Sequence, residues 1–389
     1  MTYQALSRYQ QLSADREDYL DMARRCAALT LPYLITEDGY VEGGRLQQPY
    51  QSLGSKGVNA LSSQLMLSLF PIQTSFFKLQ INDAEIDKVP ELTPQVRSEI
   101  DLSLSKMEKQ VMQQISESSD RVHLTVAMKH LVVTGNVLVF AGKKALKVYP
   151  LDRYVIERDG EGTVMEIITR EVIDRSLLPA EFQKKSLLAG NDSNAVGEDG
   201  PKLGVVGNKS HAEEAEVYTC VKLVDGQHKW YQECDGKIIP GSKSSSPLKH
   251  SAWMPLRFNV VQGESYGRGR VEEFFGDLTS LNSLTRSLIE GSAAAAKVVF
   301  MVSPSATTKP QSLAAAGTGA IIQGRAEDVS VVQVGKTADF RTVQEMIRDL
   351  TDRLNQAFLV FSPRQSCLLY TSDAADDSLR VDLGGRRII

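Results

Sequence analysis

The chain has 389 residues, a formal net charge of −4, 42% hydrophobic residues and 24% charged residues. This is the composition of a globular protein, and the length predicts two or three packed regions rather than one core. Without a basic excess, bulk electrostatic binding of nucleic acid is excluded. The four cysteines form no CxxC pair, so neither a disulfide framework nor a zinc site is expected. No apolar run reaches the ~18 residues of a membrane span, so we expect no membrane partner.

The first third of the sequence predicts helices. Apolar residues recur every three or four positions in four segments. These predicted helices are 4–29, 57–70, 95–117 and 121–134. Between them, residues 76–81 alternate enough to predict a short strand.

After Gly135-Asn136 the apolar residues no longer recur at helical spacing but follow the pattern of strands. We therefore expect largely antiparallel sheet over residues 136–262. Two hairpins are predicted, around Asp159-Gly160 and around Asp225-Gly226. The predicted strands are 137–140, 146–149, 154–158, 163–169, 216–223 and 229–233. Residues 190–211, rich in Gly, Asn, Asp and Ser, are expected to form a surface loop.

Two long helices are predicted near the end of the chain, over residues 269–298 and 337–361. Gly276 and Gly291 lie inside the first helix, where each costs about 1 kcal/mol against Ala and indicates a kink or a close helix contact. The insertion between the helices, 299–335, contains short β-like pieces at 320–322 and 329–334. The sequence therefore predicts a helical hairpin with a small domain at its tip.

The last 23 residues, Cys367 to Ile389, read as something other than this protein. The block CLLYTSDAADD and the block VDLGGRRII resemble in-frame translations of the two ends of a transposon-type sequencing adapter, with a sample barcode between them. We therefore expect residues 367–389 to be read-through and the natural gene to continue past Ser366. Such segments are left out of reasoning about the fold.

A search for chemistry finds no catalytic constellation. Gly54-Ser55-Lys56-Gly57 lacks the GxxxxGK(S/T) spacing of a phosphate-binding loop. His123 and His130 lie seven residues apart, whereas the HExxH metal motif needs four. Adjacent carboxylates such as Glu272-Glu273 are typical of solvated faces. We therefore predict that the chain is not an enzyme and holds no cofactor or metal.

Three separated motifs resemble one family. They are PYQSLGSKGVN with LMLSLFP at 49–59 and 65–71, LVVTGNVL at 131–138, and GESYGR at 263–268 followed by Glu-Glu and Gly-Asp-Leu within 272–278. In this order they resemble the portal, or head-to-tail connector, of short-tailed phages, over most of residues 5–361. Within these motifs, seven positions carry the resemblance and are expected to have structural roles: Gly54, Gly57, Gly135, Asn136, Gly263, Tyr266 and Gly267. Gly54 and Gly57 are expected to allow a tight turn into the 58–70 helix.

The resemblance implies an α+β portal fold with a helical and antiparallel β wing, a two-helix stem and a small α/β clip. By order, the wing is 1–262, the first stem helix 263–298, the clip 299–335 and the second, truncated stem helix 336–366. The resemblance also implies a homo-oligomeric ring of about twelve subunits, in which each subunit makes heterologous contacts with its neighbours. The family continues well past this point through a channel loop and a long helix to a crown, and the adapter-like segment is expected to replace these parts here.

The resemblance also implies partners and a location. Double-stranded DNA would pass non-specifically through the ring during packaging and ejection. The packaging motor (terminase), scaffold and capsid proteins and a tail adaptor would bind the ring. The protein would lie at the portal vertex of the virion and in the host cytoplasm during assembly. A channel through which DNA slides should neutralise few phosphates, and a slightly acidic chain fits that requirement.

Two sets of charged residues are candidate contacts. Arg286, Glu290 and Lys297 lie on the polar face of the first stem helix and are candidates for facing the channel. Candidates in the clip for docking the motor or the tail are Lys309, Arg325, Glu327 and Asp328. Two other readings stay open: a ring adaptor of the tail, and a DNA-packaging enzyme, against which the missing phosphate-binding loop argues.

Overall fold

The chain divides into two units, one of Met1–Gln48 and Ser55–Phe275, the other of Pro49–Gly54 and Gly276–Ile389. The computed structural model describes residues 5–36, 40, 43–71, 74–80, 94–142, 145–183, 214–295, 299–302, 311, 321, 325, 329–332 and 337–360. The predicted loop at 190–211 and the adapter-like segment at 367–389 lie outside the described residues.

Helices and antiparallel strands both occur, which confirms the α+β class. The described helices are α1 (Ala5–Leu29), α2 (Leu53–Leu69), α3 (Pro94–Glu117), α4 (Asp120–Thr134), α5 (Ala180–Gln183), α6 (Arg270–Glu273), α7 (Phe275–Ala295) and α8 (Thr337–Ala357). The described strands are β1 (Asn136–Ala141), β2 (Leu146–Tyr149), β3 (Tyr154–Arg158), β4 (Val164–Asp174), β5 (Glu214–Val224), β6 (Gln227–Cys234), β7 (Lys237–Ile238), β8 (Ser244–Pro247), β9 (Trp253–Arg257), β10 (Val299–Val302) and β11 (Val329–Val332).

All four helices predicted in the first third are present, but the strand predicted at 76–81 is wrong. Residues 76–80 have no strand pairing. The ring of Phe76 instead packs edge-to-face on that of Phe70, 5.1 Å between centroids. The Leu79 N–H donates to the Glu108 carboxylate at 2.6 Å. Aromatic packing and a hydrogen bond to a side chain therefore take the place of the strand pairing that the alternating apolar residues had suggested.

The first unit contains two antiparallel sheets. Both predicted hairpins are confirmed, since β3 pairs with β4 and β5 pairs with β6. The larger sheet has the order β3-β4-β5-β6-β7, with β8 also paired to β6, and the smaller sheet has the order β2-β1-β9.

Helix α1 crosses the larger sheet from β6 to β3. Its first N–H, on Ala5, donates to the Glu233 carboxylate on β6 at 3.1 Å. Near the middle of the helix, the buried Arg16 donates to the carbonyls of Leu151 and Tyr154 at 3.0 and 2.9 Å. A buried cation needs such acceptors, so Arg16 can lie in the apolar stripe of the helix. The core beneath α1 consists of Ala5, Tyr9, Leu12, Val155, Ile168, Tyr218 and Cys220.

The second unit contains α7 and α8, which are antiparallel neighbours. Asp277, near the start of α7, accepts a hydrogen bond from Arg353, near the end of α8, at 2.5 Å. Gly291, late in α7, lies against the ring of Phe340 in the first turn of α8, where an added Cβ would come within 2.8 Å of that ring. Of the two alternatives expected at the helix glycines, a kink or a close helix contact, Gly291 makes the contact, whereas Gly276 has nothing within 4 Å of its Cβ position.

The first long helix begins later than predicted. A break at Phe274, with φ −109° and ψ 16°, separates α6 from α7. At the tip, β10 and β11 form an antiparallel pair, with Val299 opposite Val332. Strand β11 lies within the β-like piece predicted at 329–334. Of the other piece, 320–322, only Ile321 is described, and it is exposed and outside any strand.

His130 on α4 predicts a pH dependence of stability. Burial lowers the pKa of His130 to about 4 from an ordinary 6.5, and its Nδ1 has no hydrogen-bond partner. Since the unfolded chain takes up this proton at a higher pH than the folded chain, the contribution is complete above pH 6.5 and is lost as the pH falls toward 4. We expect this one group to cost about 3 kcal/mol of unfolding free energy at pH 4.

Urea titrations at pH 7 and pH 4 measure this cost as a difference between variants. His130→Leu should lose about 3 kcal/mol less than the wild type over that range. His250→Gln, at an exposed site, is the control and should match the wild type. Equal losses in His130→Leu and the wild type would contradict the assignment.

Candidate functional site

The C-terminal end of α4 and the loop before α6 pass each other in direct backbone contact. Gly135 closes α4 with φ +75°, and its N–H donates to the Leu131 carbonyl at 3.0 Å. A Cβ on Gly135 would lie 2.3 Å from the carbonyl carbon of Arg268, and one on Gly269 would lie 2.6 Å from the Val133 oxygen. We call this contact, made by Gly135, Gly267 and Gly269, the glycine crossing.

Asn136 joins the two segments by hydrogen bonds. Its buried side chain donates from Nδ2 to the Gly267 carbonyl at 2.7 Å. Its Oδ1 accepts the Gly267 N–H, also at 2.7 Å. The amide thus pairs with both polar groups of one residue, as a neighbouring strand would. A side chain that lacked either the donor or the acceptor would leave a buried backbone group without a partner.

Tyr266 ties the same loop to the larger sheet. Its hydroxyl accepts the Ile156 N–H at 3.1 Å, on the edge of β3 that faces away from β4. The ring is buried and lies 5.1 Å from the ring of Tyr19 on α1. Burial raises the pKa of Tyr266. The residue therefore satisfies a sheet edge that would otherwise be unpaired.

Arg268 holds the loop from its outer side. Its guanidinium contacts both carboxylate oxygens of Glu264 at 3.0 and 3.1 Å, and Glu272 at 2.9 Å. It also lies over the ring of Tyr19, 4.8 Å from the centroid. Its hydrogen bonds to Arg268 lower the pKa of Glu264, and those carboxylates raise the pKa of Arg268.

The remaining motif glycines have different surroundings. Gly263 has φ +84° and nothing near its Cβ position, so it serves a turn. Gly54 and Gly57 lie inside α2 rather than in a turn before it, and that expectation is corrected. The physical reason is a cap: the Gln51 side-chain oxygen accepts the Gly54 N–H at 2.7 Å, so the helix begins at Leu53.

The candidate channel residues are only partly described. Arg286 and Glu290 form an ion pair at 2.8 Å on α7, each with 58% of its side chain exposed. Arg286 also lies over the ring of Tyr50, 5.5 Å from the centroid, and the Tyr50 N–H donates to Asn282 at 2.8 Å. The segment before α2 is therefore bound to α7.

Of the clip candidates, only Arg325 is described, and it is exposed. The candidates outside the described residues are Lys297, Lys309, Glu327 and Asp328.

The sequence placed Glu264, Arg268 and Glu272 in the family motif without giving them a role, and it gave Gly269 none. Glu272, interpreted as part of a solvated face, instead pairs with Arg268 at 2.9 Å. The spacing of Glu264, Arg268 and Glu272, four residues apart, was the available signal for the ion pairs. Nothing local in the sequence marks Gly269, because its neighbour Val133 is distant in the chain.

The described residues include no group of three or more His, Cys, Asp or Glu side chains able to hold a metal ion. Across the same residues, no helix has the length and apolar character to cross a membrane. Three cysteines, Cys26, Cys220 and Cys234, are buried and free. The glycine crossing can hold the end of α4 against the loop before α6, and its three glycines carry no side chain that could react.

Comparison with known proteins gives consistent matches. The family described as "Bacteriophage head to tail connecting protein" matches residues 2–363. The portal protein of Escherichia phage T7 is 35% identical over 369 residues, 93% of this chain and 66% of the relative. The portal proteins of Enterobacteria phages T3 and SP6 are 34% and 28% identical, over 93% and 90% of this chain and 65% of each relative. The chain thus spans just under two thirds of the length of these curated relatives.

The glycine crossing predicts a large loss of stability for Gly135→Ala. Gly236 has nearly the same φ, +74°, but nothing within 4 Å of its Cβ position. Gly236→Ala should therefore lower the free energy of unfolding only by the strain of a left-handed backbone with a Cβ, about 1–2 kcal/mol. Gly135→Ala adds a clash with backbone and should cost at least about 4 kcal/mol. Chemical denaturation of both variants measures the difference, and equal losses would show that the two backbones do not touch.

Proposed function

Because the chain belongs to the bacteriophage head-to-tail connecting proteins, we propose that it is a portal subunit. Copies of the chain form a ring at one capsid vertex, through which DNA enters during packaging and leaves during ejection. The match over residues 2–363 carries this proposal. The role is structural rather than catalytic, and its place is the virion after assembly in the host cytoplasm.

The architecture supports a division into wing, stem and clip. The two sheets of the first unit lie in the proposed wing, residues 1–262, and the glycine crossing joins Gly135 of that wing to Gly267 and Gly269 in the proposed segment 263–298. The antiparallel helices α7 and α8 correspond to the proposed stem, 263–298 and 336–366. The strand pair β10–β11 lies within the proposed clip, 299–335.

Helix α8 has the surface that a ring requires. Val343, Ile347 and Leu350 lie on its apolar stripe, yet each is only partly buried. Met346 is 50% exposed. An apolar stripe left partly open in one chain is suited to contact with a neighbouring copy.

The charges of α7 suit a channel through which DNA slides. Each phosphate that a protein neutralises adds affinity, so free cations in the bore would hold the DNA back. Arg286 is already paired with Glu290 and stacked on Tyr50. We propose that this pair and Lys297 face the channel.

The clip residues would dock other proteins. We propose that Lys309, Arg325, Glu327 and Asp328 contact the packaging motor (terminase) or the tail adaptor. Scaffold and capsid proteins would contact the wing. Mixed charge favours specific recognition over tight binding.

Assembly is the first test. Sedimentation velocity of the purified chain at tens of micromolar should show a particle of about twelve times the 42.8 kDa chain mass. Class averages from electron microscopy should show a closed ring with a central channel. A chain that stays monomeric at tens of micromolar, or that forms only dimers, would contradict the proposal.

The channel assignment predicts restricted access to residue 286. In Arg286→Cys rings, a small maleimide should react freely, whereas a maleimide on ~20 kDa polyethylene glycol should react at least about tenfold more slowly than in monomers. Lys56→Cys, exposed on α2, is the comparison site. The background is low because Cys26, Cys220 and Cys234 are buried, and Cys367→Ser removes the remaining thiol. Equal rates with the large reagent in rings and monomers would place residue 286 outside the channel.

A further inference from the structure

A basic groove lies at the end of the β5–β6 hairpin, beside β8. This open groove has a volume of about 480 Å³ and is lined in part by Lys222, Lys229, Lys243, Val224 and Trp230. This volume is within the usual range for a binding site. Neither the glycine crossing nor the proposed channel uses any of these residues.

The groove carries more positive charge than its neighbours neutralise. Lys222 contacts the buried Glu166 at 3.2 Å and is part of the fold. Lys229 contacts Asp225 at 3.2 Å, but both side chains are exposed, so water weakens this pair. Lys243 is exposed, and Val224 is 40% exposed. An occupant with carboxylates around a small apolar centre fits this lining.

A complementary acidic face lies on the opposite flank of the same unit. Helix α1 starts over β6, where Ala5 bonds Glu233, and reaches β3 at Arg16, which bonds the Tyr154 carbonyl. Strand β3 is the outer strand of the sheet. The helix then continues past it, since Tyr19 packs on Tyr266 at that outer edge.

This second half of α1 carries Asp15, Asp18 and Asp21, all exposed. From Ala5 to Asp18 the helix advances about 20 Å. The acidic face and the basic groove are thus at opposite ends of a sheet that α1 crosses. Glu17, on the same side, is partly neutralised by Arg24 at 3.6 Å.

We propose that the basic groove of one copy receives the acidic face of α1 from the next copy. This contact rests on the proposed ring. A cyclic ring is built from heterologous contacts, in which each copy offers two different and complementary patches on opposite flanks. The lysines and aspartates then steer the subunits into register.

Charge reversal tests the contact at sites that the fold does not need. The groove variant is Lys229→Glu with Lys243→Glu, which leaves Lys222 in place. The helix variant is Asp18→Lys with Asp21→Lys. The control variant, Lys56→Glu with Lys237→Glu, makes the same charge change as the groove variant at exposed residues elsewhere. Circular dichroism and thermal melting confirm that all variants are folded.

Assembly is followed by sedimentation velocity at 50 and 300 mM salt. The groove variant and the helix variant should each need at least about tenfold more protein to associate, because like charges then face each other. The control should match the wild type. An equimolar mixture of the groove and helix variants should associate like the wild type, since every contact in an alternating ring again joins opposite charges.

The outcomes separate this contact from the ring itself. Normal rings in both single-sided variants, or no recovery on mixing, would overturn the contact and leave the ring in place. Open head-to-tail chains that respond to the mixing test would support the contact and count against a closed portal. No association of the wild type would overturn both. If the groove variant assembles normally but the rings lose affinity for a 30-base-pair DNA, the groove's occupant is nucleic acid and the contact is wrong.

Discussion

Two backbone segments are in direct contact at the glycine crossing, and the arrangement of the first unit depends on this contact. At the glycine crossing there is no room for a Cβ on either side, since the carbonyl carbon of Arg268 would lie 2.3 Å from one on Gly135. Helix α4, strand β1 and the loop into α6 all meet there. Because backbone cannot move aside as a side chain can, the relative placement of these elements is set at this point. The Asn136 amide then fixes the register by bonding both polar groups of Gly267.

Helix α1 connects the glycine crossing to the larger sheet of the first unit. Its charged contacts are spaced along the helix: Ala5 on Glu233, Arg8 on Glu166, and Arg16 on the carbonyls before β3. Tyr19 then packs on Tyr266, whose hydroxyl caps the edge of β3. Sheet, helix and crossing therefore form one connected network. A substitution at Gly135 should therefore perturb the packing of the larger sheet as well as that of α4.

The sequence predicted what depends on local periodicity. The four early helices and both hairpins followed from spacing and turn residues, because these signals lie within a few residues of one another. At Gly291 the sequence indicated a kink or a close contact but not the partner, Phe340, which is distant in the chain. The wrong strand at 76–81 shows the limit, since aromatic contact with Phe70 decided that segment. Gly54 and Gly57 were expected in a turn before the helix, and they lie inside α2. The glycine crossing joins residues more than a hundred positions apart, so single-sequence patterns could mark Gly135 and Gly267 without pairing them.

Charge is arranged differently in the two units, and this bears on the proposed ring, in which an acidic chain would both assemble and let DNA pass. On α7, Arg286 has a carboxylate partner on the same helix and an aromatic ring beneath it, so little positive charge remains for phosphate. In the groove, Lys229 has only an exposed aspartate and Lys243 lies open. Cations that are neutralised within the chain bind DNA weakly, whereas cations left over at a flank are available to another subunit. Assembly through such flanks would consume the spare positive charge, and the finished ring would then attract DNA less than its separate subunits do.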